Sequence, residues 1–236
     1  MVRVLKHNRK NVFKKTVQNE VCCFLKDEIK NHQSGEKMPI KYCIFDIGNV
    51  CYPYDPEPLN QCIREYVADK NLFDKTGGMF SFNFDELLKG KVTFSEFSQS
   101  LCGHFKISYT AEVEERLKKA NHDCIGAFIP ETQKLMKDLS AKGIKICLLS
   151  NITADLEDIV PQNVDKDKRF LSYELGMIKP DAKIYQHVLR QLRAVPQETL
   201  FIDDLEENIS AAQALGMNGI IFERETIIQK VQQFFS

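Results

Sequence analysis

Four short runs of apolar and β-branched residues stand out along the chain: 40–45 (IKYCIF), 144–149 (IKICLL), 199–202 (TLFI) and 218–222 (NGIIF). Runs of this length, bounded by polar or turn-forming residues, predict strands buried on both faces. Around the last three, apolar residues recur at spacings of three and four over 131–141, 184–192 and 209–215, which predicts helices with one buried face. Gly216 closes the last of these helices before the fourth run begins. Strand-like runs alternating with amphipathic helices predict an α/β fold, a Rossmann-like parallel sheet flanked by helices.

The stretch 55–128 breaks this rhythm. It holds no long strand-like run, and its pattern predicts helices over 58–68, 84–89, 94–103 and 110–120. Thr93 or Ser95 can cap the third, and Thr110 followed by Glu112, Glu114 and Glu115 marks the start of the fourth. The phenylalanine-rich part, 73–105, reads as the core of this block. A helical block between the first and second sheet strands is most simply an inserted cap. The core domain is then residues 40–54 and 129–236, and the cap is 55–128.

Residues 1–39 form a separate basic extension. The first 19 residues carry Arg3, Lys6, Arg9, Lys10, Lys14 and Lys15 and no acid. Phe13, Val17, Val21, Phe24, Leu25 and Ile29 then fall on one face of a predicted helix, which ends near Gly35. Two readings stand: a helix packed on the domain, or a targeting segment or surface in residues 1–35 that docks on a partner or a membrane.

Composition narrows the class. A net charge of −1 gives no general attraction to nucleic acid. No apolar run approaches the roughly 18–20 residues that span a bilayer, and the start of the chain has no secretory apolar segment. The eight cysteines include no CxxC pair. Cys102, His104, His122 and Cys124 lack finger-like zinc spacing. All eight are read as reduced thiols of a cytoplasmic protein.

The candidate chemistry lies where three of the strand-like runs end, at Asp46, at Ser150 and at Asp203–Asp204. In an open parallel sheet that edge is where ligands bind. The motifs around these residues resemble those of haloacid dehalogenase (HAD) superfamily hydrolases over about residues 40–225. They are Phe45-Asp46-Ile47-Gly48-Asn49-Val50, Leu149-Ser150-Asn151, Lys179 ahead of Pro180, and Ile202-Asp203-Asp204 with Asn208 following. The resemblance implies a Mg²⁺-dependent phosphatase acting on a small phosphorylated metabolite. By the same resemblance Asp46 is the nucleophile that forms an aspartyl-phosphate, and Lys179 holds it and offsets charge. Ser150, Asn151 and the backbone after Ser150 bind phosphate oxygens. Asp46, the Gly48 carbonyl and Asp204 hold Mg²⁺, with Asp203 and Asn208 behind them.

Gly48 departs from the pattern. Most phosphatases of the superfamily carry there a second Asp, which protonates the leaving group. General acid–base help is worth about 10²–10⁴-fold. The Asp-x-Gly-Asn-Val variant resembles a subgroup of sugar-1-phosphate phosphatases and the phosphatase domain of epoxide hydrolases, which suits leaving groups that need little protonation. The alternative is a weak or inactive protein that binds phosphate and Mg²⁺. A dehalogenase needs no metal, so the acidic pair speaks against that branch. The cap is expected to close over the site and set substrate choice, with Tyr52, Tyr54 and Arg64 as candidates to face it.

Overall fold

The computed structural model describes residues 38–235; both readings of the basic segment before them lie outside the described residues. Strands β1 (Tyr42–Phe45), β2 (Lys145–Ser150), β3 (Arg169–Leu171), β4 (Thr199–Asp203) and β5 (Asn218–Ile221) form a parallel sheet in the order β3-β2-β1-β4-β5. Helices α1 (Glu57–Tyr66), α2 (Lys70–Lys75), α3 (Asp85–Leu88), α4 (Phe94–Phe105) and α5 (Ala111–Asp123) lie between β1 and β2. Helix α6 (Pro130–Ala141) leads into β2, and α7 (Ser172–Leu175) and α8 (Ala182–Leu192) lie between β3 and β4. Helix α9 (Glu206–Gln213) joins β4 to β5, and α10 (Ile227–Gln232) follows β5.

The sheet is covered on both faces, which is why its central strands read as unbroken apolar runs. Cys43, Phe45, Leu148, Leu200 and Ile202 share one buried cluster with Leu135, Met136 and Leu139 of α6 and Ile227 and Val231 of α10. Ile44, Cys147, Leu149 and Phe201 share the other with Ile184, Tyr185 and Val188 of α8 and Ile209 and Ala212 of α9. Each large side chain fully buried in this way contributes about 1.5–3 kcal/mol. The arrangement is the α/β sandwich that the alternating runs predict.

Several elements differ from the sequence expectation: the pattern does not predict the short helices α2, α7 and α10, and β3 and α9 differ for physical reasons. The edge strand β3 has three residues, too few to show a period. Helix α9 begins at Glu206, before the first apolar residue of its pattern, because Glu206 and Glu207 occupy the first turn, where acids suit the helix dipole.

Residues 59–124 have a buried cluster of their own, built from Leu59, Ile63, Phe73, Met79, Phe97, Leu101 and Leu117 among others. Phe73 meets Phe105 edge-on at 5.2 Å, and Phe97 contacts Phe82 at 5.5 Å and Phe84 at 4.8 Å. Thr93 caps α4 in a reciprocal box with Glu96, and the Thr110 hydroxyl accepts the Val113 N–H at the start of α5. The two strands that tie this block to the sheet domain run side by side. Tyr54 pairs with Ile125, the Asp55 N–H donates to the Cys124 carbonyl at 2.8 Å, and the Gly126 N–H donates to the Pro53 carbonyl at 2.9 Å. Among the described residues, no helix is long and apolar enough to cross a membrane.

Candidate active site

Register brings the polar residues together. Phe45 pairs with Leu148 on one side and Ile202 on the other, so Asp46 emerges beside Leu149 and Asp203. The Asp46 N–H donates to the Ile202 carbonyl at 2.9 Å. After β1 the chain builds β2 and β3 on one side and then crosses to β4 on the other. That reversal makes the end of β1 a topological switch point, the place where open α/β sheets bind ligands.

Asp46 is buried, and its Oδ1 accepts the Ile47 N–H at 2.7 Å and lies 2.9 Å from Lys179 Nζ. Burial pushes its carboxyl up from the ordinary range, while Lys179 opposes that rise; Asp203 adds to it, and hydrogen bonds from Lys179 and Ser150 offset it. Lys179 Nζ also donates to Asp203 Oδ2 at 2.7 Å. Burial alone would depress the ammonium, but Asp46 and Asp203 outweigh it and hold Lys179 above its ordinary value.

Lys179 reaches the carboxylates because its backbone is clamped. Asn151 Nδ2 donates to the Lys179 carbonyl at 2.9 Å, and the Lys179 N–H donates to Asn151 Oδ1 at 2.8 Å. The Asn151 side chain is thus committed to positioning the lysine. Two residues on, Asp181 caps α8 by accepting the Lys183 N–H at 3.0 Å.

Asp203 and Asp204 are adjacent in sequence and differ in availability. Asp203 is fully buried, and its two oxygens accept from Lys179, from the Leu205 N–H at 2.9 Å and from Asn208 Nδ2 at 2.9 Å. Asn208 is held in turn by the Tyr185 hydroxyl, which donates to its carbonyl at 3.1 Å. Asp204 is half-buried, and burial raises its carboxyl, against which a hydrogen bond from Asn49 works.

Carboxylate oxygens of Asp46, Asp203 and Asp204 lie within 4.8 Å of one another. Three carboxylates against one ammonium leave a formal surplus of two negative charges in this corner. The donors are hard oxygens, and among the described residues no hydrogen bond ends on the Gly48 carbonyl. Such a set suits a divalent cation of the Mg²⁺ type better than a soft metal. The nearby Cys51 thiol is buried and spent on the Asp46 carbonyl at 3.1 Å. Asp203 accepts three donors from within the protein, and Asp204 accepts the Asn49 amide.

Gly48 leaves open space, since a Cβ built there meets nothing within 4 Å. Of the three candidates near the start of the insert to face the site, Arg64 is paired with Asp74 at 3.0 Å inside the insert. Tyr52 packs edge-on against Phe128 at 4.7 Å. Tyr54 donates its N–H to Asn49 Oδ1 at 2.9 Å. Sequence reasoning passed over Asn49, whose Nδ2 donates to Asp204 Oδ2 at 3.0 Å. The signal available was an Asn following Gly in a tight turn, a residue suited to the left-handed backbone it adopts, with φ of 54°.

The model of the haloacid dehalogenase-like hydrolase family matches residues 40–216, and the chain belongs to that family. A sesquiterpene phosphatase of Aspergillus oryzae is 28% identical over 188 residues, covering 76% of this chain and 88% of the relative. A D-ribitol-5-phosphate phosphatase of Bacteroides thetaiotaomicron is 29% identical over 197 residues, covering 75% of this chain and 89% of the relative. Among solved structures, a HAD family enzyme of B. thetaiotaomicron in complex with magnesium and inorganic phosphate superposes with a TM-score of 0.63 at 23% identity, over 78% of this chain and 95% of the other. That likeness establishes the shared fold.

Proposed function

We propose that this haloacid dehalogenase-like hydrolase is a Mg²⁺-dependent phosphatase of small, soluble phosphomonoesters, sugar phosphates among them, working through an aspartyl-phosphate on Asp46. One observation carries the reading: a buried carboxylate at the switch point has an ammonium 2.9 Å away and an oxygen of Asp204 within 4.8 Å. Relatives named as phosphatases of a sesquiterpene and of ribitol 5-phosphate support a small phosphorylated substrate.

In this reading Asp46, Asp204 and the Gly48 carbonyl would hold Mg²⁺, while Asp203 and Asn208 fix Lys179 and the loop behind them. When bound, the cation offsets the repulsion between a carboxylate and a phosphate dianion. An Asp46 oxygen attacks phosphorus as the bond from phosphorus to the leaving oxygen breaks. Lys179 holds the attacking carboxylate and stabilises charge as it spreads over the phosphoryl oxygens. The Ser150 hydroxyl and the backbone at Asn151 bind those oxygens. With Gly48 in place of an acid, the leaving oxygen takes its proton from solvent, so substrates that leave readily are favoured. Water then attacks phosphorus, the bond from phosphorus to Asp46 breaks, and phosphate departs. The block of residues 55–128 covers the site and sets which substrates enter.

The bare side of Gly48 also supports a second reading, a phosphate- and Mg²⁺-binding protein with little turnover. A panel of aryl and sugar phosphates assayed with the purified chain, with and without Mg²⁺, separates the two. The phosphatase reading expects hydrolysis that chelation of Mg²⁺ removes. Binding of phosphate analogues without turnover of any member of the panel would favour the second.

A further inference from the structure

Position 49 has a left-handed backbone, with φ of 54°. Glycine occupies that conformation at least cost, and Asn is among the few side chains that enter it routinely. Here the side chain has work beyond the turn. Asn49 Nδ2 donates to Asp204 Oδ2 at 3.0 Å, and its Oδ1 accepts the Tyr54 N–H at 2.9 Å. Its backbone N–H donates to the Tyr52 carbonyl at 2.7 Å. Tyr54 in turn pairs with Ile125, where the chain returns from the helical insert.

One amide therefore joins two places that are distant in sequence: the half-buried carboxylate at the end of β4, and the paired strands on which the insert is mounted. By holding Oδ2 of Asp204 it also leaves Oδ1 as the oxygen free of that bond. We propose that Asn49 is a positioning residue that orients Asp204 for the divalent cation and links occupation of that site to the order of the insert's mounting strands. The inference rests on the reading of Asp204 as a metal ligand.

Residues that orient metal ligands typically change metal affinity about 10–100-fold when removed. An exposed amide such as Asn49 belongs at the low end of that range. The test uses the full chain and Asn49→Gly, which permits the same left-handed backbone and removes the side chain. Calorimetric titration with Mg²⁺ alone is expected to show about tenfold weaker binding in the variant, with the metal-free protein still unfolding in one cooperative transition. Amide exchange at Tyr54 and Ile125 gives the second readout. Mg²⁺ is expected to slow it in the native chain and to have no effect on it in the variant.

Equal Mg²⁺ affinities in the two proteins would overturn the proposal, as would Mg²⁺-dependent slowing that persists in the variant. If the variant does not fold, the native exchange alone decides, and no slowing at Tyr54 refutes the link. A native chain that binds no Mg²⁺ would instead overturn the phosphatase reading beneath it.

Discussion

The C-terminal edge of the sheet and the helical insert are held together by different forces. At the sheet edge Asp203, Lys179 and Asn151 have their polar atoms matched by partners from β2, β4 and the loops beyond them. Inside the insert the contacts are mainly apolar and aromatic, and few polar bonds reach the sheet domain. Asn121 Nδ2 donates to Asp155 at 2.8 Å, His122 lies 3.2 Å from Asp158, and the turn at Gly90 rests on the Tyr173 backbone. A matched polar network fixes geometry to within a hydrogen bond, whereas apolar packing tolerates exchange of side chains. On the proposed function, the reaction belongs to the polar edge and substrate choice to the apolar insert.

The two regions differ most in what the loss of Lys179 would cost. Removing it leaves Asp46 and Asp203 buried without their common partner, and unpairing a buried charge costs about 3–5 kcal/mol. Lys179→Ala is expected to lower stability by that amount and activity by at least about 10²-fold. Thermal unfolding and steady-state rates check both. An exposed pair such as Arg64–Asp74 of the insert is worth about 1 kcal/mol or less, so a comparable loss from Arg64→Ala would erase the distinction.

Gly48 sharpens the contrast from the other side. Because a Cβ there meets nothing within 4 Å, the side chain of Gly48→Asp starts in open space. The variant is expected to gain about 10²-fold on poor leaving groups and little on good ones. Rates across aryl phosphates of graded leaving-group pKa measure this. The native chain should show a steep dependence and the variant a flatter one, while a shallow native slope would mean that another residue supplies the proton.

The smallest effect concerns the insert. Gly90 has φ of +63°, and a Cβ there would fall 2.2 Å from the Tyr173 carbonyl oxygen. Gly90→Ala is expected to push the α3–α4 turn off α7 and destabilise the protein by about 1–3 kcal/mol. Substrate KM should rise several-fold with kcat on a small aryl phosphate little altered. An unchanged KM would mean that this contact has no part in substrate selection.

Much of this was legible in the sequence, for identifiable reasons. The central strands announced themselves because burial on both faces demands unbroken apolar runs, and Asp46, Ser150 and Asp203 follow directly from where those runs stop. The three-residue β3 carries too few positions for a period. Which acid of the pair 203–204 takes more donors depends on Leu205, Asn208 and the distant Lys179. That is a tertiary fact with no local signature. The same holds for Asn151, whose amide clamps Lys179 across 28 positions, and for Asn49, which meets Asp204 across 155.

The central claim is that Asp46 becomes phosphorylated, and it can be measured directly. Rapid acid quench of the native chain during turnover of a readily leaving phosphomonoester with Mg²⁺, followed by peptide mass spectrometry, should find one phosphoryl group on the peptide containing Asp46. Asp46→Asn should show neither the adduct nor turnover. Turnover by the native chain with no adduct at any reaction time, or turnover that survives in Asp46→Asn, would contradict the account.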